Sequence, residues 1–467
     1  MRTSRSLLTL AFAVLVLNGC GGSSFYSIGG TVSGLVGSRL TLQNNGSIVT
    51  IEPAANGFQL LFNYLPNGAP YDITVATQPT IPSQTCVVTN GNGTIASADV
   101  TDIKVTCTTT PARFLLGEGA GACISTSAID STSGALTATS GSPSCFGLGL
   151  YDNQGFLLVG LPEGPMVVDP QGRFLYMAVY EGQIGLLPVF AIDRNSGALT
   201  FVHWVPGPMG LDFIAFDPSG RFLFATGTHG AVETLTVDSA SGALTDSEYL
   251  SFQDSTSSPS AVSVDPLGRF VYVTYEEFSD TPPYQNMVIA LSLDSKSGAL
   301  SQIASPVAIG ATYAGGPPVG TVWLAPHPSG KYLYAGPVAS NHIAAYSIDP
   351  AHGTLNPISG SPFPVGNGPS AAAVDPYGKY LYVTNSGSND ISAYAIDSDS
   401  GVLTPINGSP FPTGSAPSSI AVEPLGHFVY VSNALGVSAY QIDPLSGALS
   451  PISGSPFTFA YGAVISY

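Results

Sequence analysis

From residue 26 onward the chain is dominated by short runs that alternate apolar and polar positions, each closed by a turn signal. Arg39-Leu-Thr-Leu-Gln43 and Tyr71-Asp-Ile-Thr-Val75 are such runs, and Asn44-Asn45-Gly46, Asn56-Gly57, Asn67-Gly68 and Asn90-Gly91 punctuate them. They predict a small β-sandwich over residues 26–108, followed by a linker at 109–112. From residue 113 the pattern repeats. An Asp-Pro-x-Gly-basic turn begins at Asp169, Asp217, Asp265 and Asp375, and the same slot returns as His327-Pro328 and Glu423-Pro424. Successive spacings are 48, 48, 62, 48 and 48 residues, a regular register interrupted by one 14-residue insertion. A second element, Asp-x-x-x-Gly-x-Leu, begins at Asp130, Asp193, Asp238, Asp294, Asp349, Asp397 and Asp443, which sets the count at seven units.

Within one unit, Ala371–Asp375, Lys379–Val383, Ile391–Ile396 and Leu403–Ile406 read as four strands joined by tight turns. The second strand is apolar on both faces, with Tyr380 and Tyr382 on one and Leu381 and Val383 on the other, as a sheet packed between two neighbouring sheets requires. Four strands per unit of about 48 residues predict an all-β chain whose residues 113–467 form a seven-bladed β-propeller. The first unit, opening at Arg113-Phe-Leu-Leu116, lacks a first strand, whereas Tyr461-Gly-Ala-Val-Ile-Ser-Tyr467 is a strand without a unit. The C-terminal strand is therefore expected to complete blade one and close the ring.

The start of the chain reads as an address. Arg2 and Arg5 precede an apolar stretch from Leu7 to Leu17, too short to span a bilayer and of signal-peptide length. Leu17-Asn18-Gly19-Cys20 resembles the lipobox of bacterial lipoproteins, which implies a signal over 1–19, lipidation of Cys20, a tether over 20–25 and anchoring in the cell envelope, with the outer membrane favoured by the absence of Asp after Cys20. Disulfides persist in exported chains. Of the three pairings open to the other four cysteines, Cys86–Cys107 and Cys123–Cys145 keep each bridge within one unit. Metal binding by these cysteines is not expected, because no pair has C-x-x-C spacing and no histidine lies nearby.

Composition narrows the partners. With 30 acidic against 12 basic residues the formal charge is −18, the wrong sign for nucleic acid, and only 9% of residues are charged. All eight propeller cations map to one end of the blades. Arg113, Arg173, Arg221, Arg269, Lys331 and Lys379 open second strands, with His427 in the seventh slot, and Arg194 and Lys296 lie in third-to-fourth turns. That end carries the near-identical turns and reads as structural. The opposite end carries the second-to-third turns and the crossovers, which vary between blades. It holds Glu118, Glu163, Glu181, Asp212, Glu276, Glu277, Asp280 and Asp390 and no Lys or Arg, so it is expected to be an acidic binding face.

Tyr382-Val-Thr-Asn385, with Tyr430-Val-Ser-Asn433 as a near copy, resembles the YVTN β-propeller repeat of surface-layer proteins. The whole unit is similar to the seven-bladed lactonase-type propellers that include 6-phosphogluconolactonase. The early sandwich, on Gly30-Thr-Val-Ser-Gly34, Leu40-Thr-Leu42, Phe58 and Tyr71–Val75, resembles transthyretin-like or immunoglobulin-like modules. The lactonase resemblance implies a Pro-His-x-His entry to one blade and an arginine near the end of a later second strand. Here the matching stretches are Pro208-Met-Gly-Leu-Asp212 and Gly336-Pro337-Val338, so the fold carries over and these motifs do not.

Individual candidates each carry a plain alternative. His229 and His342, in second-to-third turns, offer an acid, base or ligand, or are solvated loop residues. His203 and Trp204 offer a stacking platform for a sugar, or pack between blades. Glu276, Glu277 and Asp280, with Tyr275, Pro282, Pro283 and Tyr284, offer hard oxygens to Ca²⁺ or a dock for a basic peptide, or form a simple acidic loop. Asn385 and Asn433 either bind a ligand or cap turns. Glu181 and Asp212 complete the set. No resident cofactor is implied. The sequence leans away from an enzyme and towards a binding or adhesion scaffold for a neutral glycan, a cation or a basic protein segment. A hydrolase of an unphosphorylated lactone stands second and a purely structural envelope protein third.

Overall fold

A computed structural model of the chain describes residues 25–36, 40–51, 58–59, 62–79, 84–109, 114–119, 123–145, 165–181, 184–208, 210–227, 231–251, 258–277, 285–309, 322–337, 340–458 and 461–466. Every regular element among them is a β-strand. The first unit is two sheets. Phe58–Gln59, Phe25–Ser33, Val100–Thr109 and Gln84–Thr89 lie side by side in one, and Ser47–Ile51, Leu40–Asn44, Pro70–Thr77 and Asn92–Thr94 in the other. Both bury apolar positions in one core around Ile28, Leu40, Leu42, Ile73, Ile103 and Val105. Cys86 and Cys107 are direct cross-strand partners there and form a disulfide, as expected.

Seven further sheets follow, and the C-terminal strand closes the ring. Phe114–Gly119 pairs antiparallel with Cys123–Ile129 on one side and with Tyr461–Ser466 on the other, Leu115 opposite Ile465. In blade six the strands are Pro369–Val374, Tyr380–Asn385, Asp390–Ile396 and Leu403–Pro405, within two residues of the sequence reading. The outer strands depart from it. Leu403–Pro405 and Phe411–Pro412 both pair with Asp390–Ile396, so the fourth strand is split. Between the pieces the Ser409 hydroxyl accepts the Ala393 N–H at 2.9 Å, and Pro410 has no N–H with which to continue a ladder. Blades two and three keep continuous outer strands, Leu199–Gly207 and Leu244–Ser251.

Each second strand is buried on both faces, and its aromatics make the joints between blades. The Asp-x-x-x-Gly turn of each blade packs its glycine on the first aromatic of the preceding blade's second strand, which leaves no room for a Cβ. One at Gly401 would lie 2.6 Å from the Tyr332 ring, and one at Gly134 would lie 2.5 Å from Phe428. Two residues along the same strand a tyrosine hydroxyl donates to that glycine's carbonyl. The bonds are Tyr176 to Gly242 at 2.8 Å, Tyr334 to Gly401 at 3.0 Å, Tyr382 to Gly447 at 2.9 Å and Tyr430 to Gly134 at 2.9 Å. The last joins blade seven to blade one. Phe224 occupies this place in blade three, and there Thr234 Oγ1 reaches the Gly298 carbonyl at 3.3 Å instead. The repeated turn is thus a latch between blades, which explains its near-identity from unit to unit.

Candidate functional site

The repetitive end is occupied by its own structure. The buried Asp217 carboxylate accepts the N–H groups of Arg221 and Phe222, both at 2.8 Å, and Asp375 accepts those of Lys379 and Tyr380, both at 2.6 Å. Arg269 pairs with Asp265 at 2.8 Å and reaches the Gly330 carbonyl of blade five at 3.0 Å. Arg221 donates at 3.0 Å to the Ser295 and Lys296 carbonyls of blade four. Arg173, Arg221 and Arg269 also lie over the phenylalanine that follows each of them. These cations bind blade to blade, in agreement with the structural reading of this end. His327, where most blades have Asp, does the same work as a neutral ring. Its Nε2–H donates to the Gly378 carbonyl at 2.9 Å, while Nδ1 accepts the Ser329 N–H at 3.1 Å. Burial lowers its pKa below the usual 6.5.

The inner strands enclose a channel of about 480 Å³, lined by Val168, Phe216, Leu324, Ala372 and Ile420 from five blades and by Ser263 from a sixth. Its described lining carries no charged side chain. The residues that line it belong to the inner-strand halves nearest the Asp-Pro turns.

Strand number sets the distance of each candidate from the channel axis. With neighbouring strands about 4.8 Å apart, a third strand stands roughly 10 Å and a fourth roughly 14 Å outside the first. Asp212 opens blade three's inner strand. Leu211 beside it is buried in the core, and the Asp212 N–H donates to the Thr226 carbonyl at 3.0 Å. Its side chain is accessible, yet surrounding protein raises its pKa above the usual carboxylate value by desolvation. Tyr275, on the second strand of blade four, is half-buried against the apolar cluster between blades three and four.

The remaining candidates disperse. Asn385 and Asn433 end the second strands of blades six and seven, buried. Asn385 Nδ2 donates to Asp390 at 2.6 Å and to Ser392 at 2.9 Å, and Asn433 donates to Ser438 at 2.9 Å while its Oδ1 accepts the Leu435 N–H at 3.0 Å. Their side chains hold second-to-third turns, the capping alternative. His342 begins a third strand and borders a separate cavity of about 350 Å³ with Ala308, Tyr346 and Pro362. Trp204 lies on blade two's outer strand, 41% exposed on the rim. Its neighbour His203 accepts the Leu244 N–H of blade three at 3.3 Å, so the histidine joins the next blade while the indole stays exposed. Glu181, Glu276 and Glu277 lie at strand ends of blades two and four, with side chains outside the described residues. His229, Tyr284, Asp280, Glu163 and Cys20 are outside them altogether. Among the described residues no group of three or more His, Cys, Asp or Glu side chains has metal-site geometry.

Sequence reading missed the hydroxyls beside the axis. Ser260 and Thr274 hydrogen-bond at 3.0 Å in blade four, and Ser370 and Thr384 at 2.9 Å in blade six. Ser419 and Ser432 do so at 3.1 Å in blade seven. Pro259-Ser260 and Pro369-Ser370, each five to six residues before a repeat aspartate, were the available signal. Trp323 on blade five's inner strand was missed too. Its indole covers Gly336, where a Cβ would lie 2.2 Å from Cζ2, and fills the region from which the family's arginine was expected.

The family model described as "Lactonase, 7-bladed beta-propeller" matches residues 213–364, 268–409 and 357–460. No curated protein matches the chain significantly. Among solved structures, the periplasmic gluconolactonase PpgL of Pseudomonas aeruginosa is 18% identical with a TM-score of 0.57, over 76% of this chain and 99% of that one. A Bacteroides uniformis protein assigned as a 6-phosphogluconolactonase is 17% identical with a TM-score of 0.57, over 76% and 97%. A protein from Lactobacillus plantarum is 20% identical with a TM-score of 0.53, over 76% and 99%.

Proposed function

This chain belongs to the seven-bladed β-propeller lactonase family, and from that premise we propose that it hydrolyses an unphosphorylated lactone at the variable mouth of its channel. Asp212 carries the reading. Among the described residues it is the acidic one that opens an inner strand at the variable end, and desolvation raises its pKa above the usual carboxylate value, which makes it a stronger base than a free carboxylate. Water attacks the lactone carbonyl as Asp212 takes its proton. The tetrahedral intermediate then expels the ring oxygen, Asp212 returns the proton to it, and the product is the hydroxy acid. We assign the Ser260 hydroxyl, on the neighbouring blade's inner strand, as the donor for the developing oxyanion.

The substrate class follows from charge. A phosphate calls for a cation or a helix terminus. The described cations of the propeller cluster at the repetitive end, and Gly336 under Trp323 stands in the arginine's place. Among the solved relatives, PpgL is a gluconolactonase, and a neutral sugar lactone of that kind is the first substrate to try. A pH-indicator assay on the purified protein, with gluconolactone and its 6-phosphate, is the test. Asp212→Asn is expected to lower kcat/KM by about 10²–10⁴-fold, with the neutral lactone preferred. Absence of turnover on every lactone, with Ca²⁺ and with chelator, refutes the hydrolase. It would return the acidic face to the reading as a scaffold for a glycan, a cation or a basic segment.

A further inference from the structure

Four blades share a Gly-Ser-Pro outer-edge segment, and one of the four is built differently; blade four carries a shorter Ala304-Ser305-Pro306-Val307 version with Val307 opposite Val288. Ser361-Pro362-Phe363, Ser409-Pro410-Phe411 and Ser455-Pro456-Phe457 occupy equivalent places in blades five, six and seven, and Ser142-Pro143-Ser144 in blade one. In all four the serine hydroxyl accepts a third-strand N–H at 2.9 Å, from Ala345, Ala393, Ala439 and Thr126. In blades five to seven the phenylalanine then pairs with the third strand, opposite Ile343, Ile391 and Val437, and packs into the apolar core between blades. Its ring lies about 3.4–3.5 Å from where a Cβ on the segment's glycine would stand, at Gly360, Gly408 and Gly454. In blade one the residue opposite Ile124 is Ser144, and nothing lies within 4 Å of that point at Gly141. The aromatic anchor is missing. At the next register position, where blade six has Asp390 opposite Pro412, blade one has Cys123 opposite Cys145, joined as a disulfide.

We propose that Cys123–Cys145 is a redox-responsive clasp that replaces the aromatic anchor in the blade that closes the ring. Blade one needs its outer edge held more than its neighbours do, because its inner strand arrives from the far end of the chain. Cys123 is buried and Cys145 is exposed, so a thiol has access to one sulfur. The clasp forms when the Cys123 and Cys145 thiols pass two electrons and two protons to a disulfide donor, which becomes a dithiol. It opens by the reverse exchange, in which a dithiol's thiolate attacks the Cys145 sulfur, Cys123 leaves as thiolate, and the second thiol of the reductant closes its own disulfide. Completion of the propeller is thereby coupled to a thiol-oxidising step.

The test compares four forms of the full protein, each with and without dithiothreitol: the unaltered chain, Cys123→Ala with Cys145→Ala, that pair with Ser144→Phe, and Cys86→Ala with Cys107→Ala as a control for the other disulfide. Thermal unfolding and proteolytic cleavage within residues 139–145 are read. In the unaltered chain and in the control, reductant is expected to lower the propeller's Tm by about 3–5 °C and to speed cleavage at least tenfold. The double variant is expected to show both effects without reductant, and Ser144→Phe to restore at least half of each. Equal Tm and cleavage in the oxidised and reduced control overturns the clasp, and that comparison decides even where the double variant does not fold. Loss of stability that Ser144→Phe leaves untouched overturns the equivalence with the aromatic anchor.

Discussion

Replacing Tyr430 by Phe removes one oxygen atom from the joint between the last blade and the first. The ring stays in its place, fully buried, and the Gly134 carbonyl loses its donor at 2.9 Å. A neutral hydrogen bond contributes about 0.5–1.5 kcal/mol net, and a buried acceptor left unpaired costs about 1–3 kcal/mol, so the loss is expected at about 2 kcal/mol. The molecule supplies its own control in Tyr272, the equivalent tyrosine of blade four, whose buried hydroxyl has no partner among the described residues. Tyr272→Phe removes a desolvated hydroxyl that bonds nothing, and is expected to be neutral or stabilising by up to about 1 kcal/mol. Nothing in the surrounding contacts explains why blade four lacks the bond. At about 2.1 cal/mol/K per residue, some 350 residues give an unfolding entropy near 0.75 kcal/mol/K, so the Tyr430 loss appears as only about 2–3 °C in Tm. Urea unfolding is the better readout, because the midpoint shift multiplied by the slope returns the free-energy loss directly. Equal losses in the two variants would refute the latch, since only one of them breaks a bond. So would a Tyr430→Phe loss below about 0.3 kcal/mol.

Two further outcomes follow from the joints. Because burial lowers the folded pKa of His327 below 6.5, the unfolded chain binds the extra proton first as pH falls. Stability should therefore drop below about pH 6.5, by at most about 1.4 kcal/mol per pH unit. The contribution is present above that pH, and Tm measured from pH 8 to 5 in the unaltered chain and in His327→Gln isolates it, a matched slope in the two counting against it. Gly336→Ala forces a Cβ to within 2.2 Å of the Trp323 indole and should cost about 1–3 kcal/mol. Trp323→Leu in the same chain should recover part of that cost, and additive losses in the double variant would show that the two residues do not press on each other.

The fold was legible because a propeller writes itself as arithmetic. A 48-residue period, a single insertion and a count of seven turns leave few alternatives, and the orphan strand after Tyr461 had one place to go. The joints were less legible although their residues were in plain view. Tyr176, Tyr334, Tyr382 and Tyr430 recur at one position, but each bonds a glycine in the next blade, 65 to 67 residues on in the first three cases and 296 residues back in the last. No local pattern announces such a contact. The split outer strand was missed for a similar reason. Ser-Gly-Ser-Pro reads as a turn, and only the serine hydroxyl's bond to the third strand shows that the edge resumes pairing beyond it.

For the site, the sequence separated the two ends of the propeller but not the inside of a face from its outside. Asp212, Asn385 and His342 stand together as variable-end candidates in the sequence, yet they fall at the start of a first strand, the end of a second and the start of a third. A residue that opens an inner strand stands in the ring nearest the axis, where every blade converges. One at a second-strand end has neighbours on both sides and is drawn into holding the turn, as the hydrogen bonds of Asn385 and Asn433 show. One on a third or fourth strand meets at most the adjacent blade, as the His203 bond to Leu244 shows. A ligand contacting several blades at once is therefore best recognised from the inner ring, which offers the Asp212 carboxylate, the Ser260 hydroxyl and the oxygens of Ser370 and Ser419, whose own protons go to the Pro417 carbonyl and to Ser432. That donor and acceptor set suits an uncharged, oxygen-rich ring better than an anion.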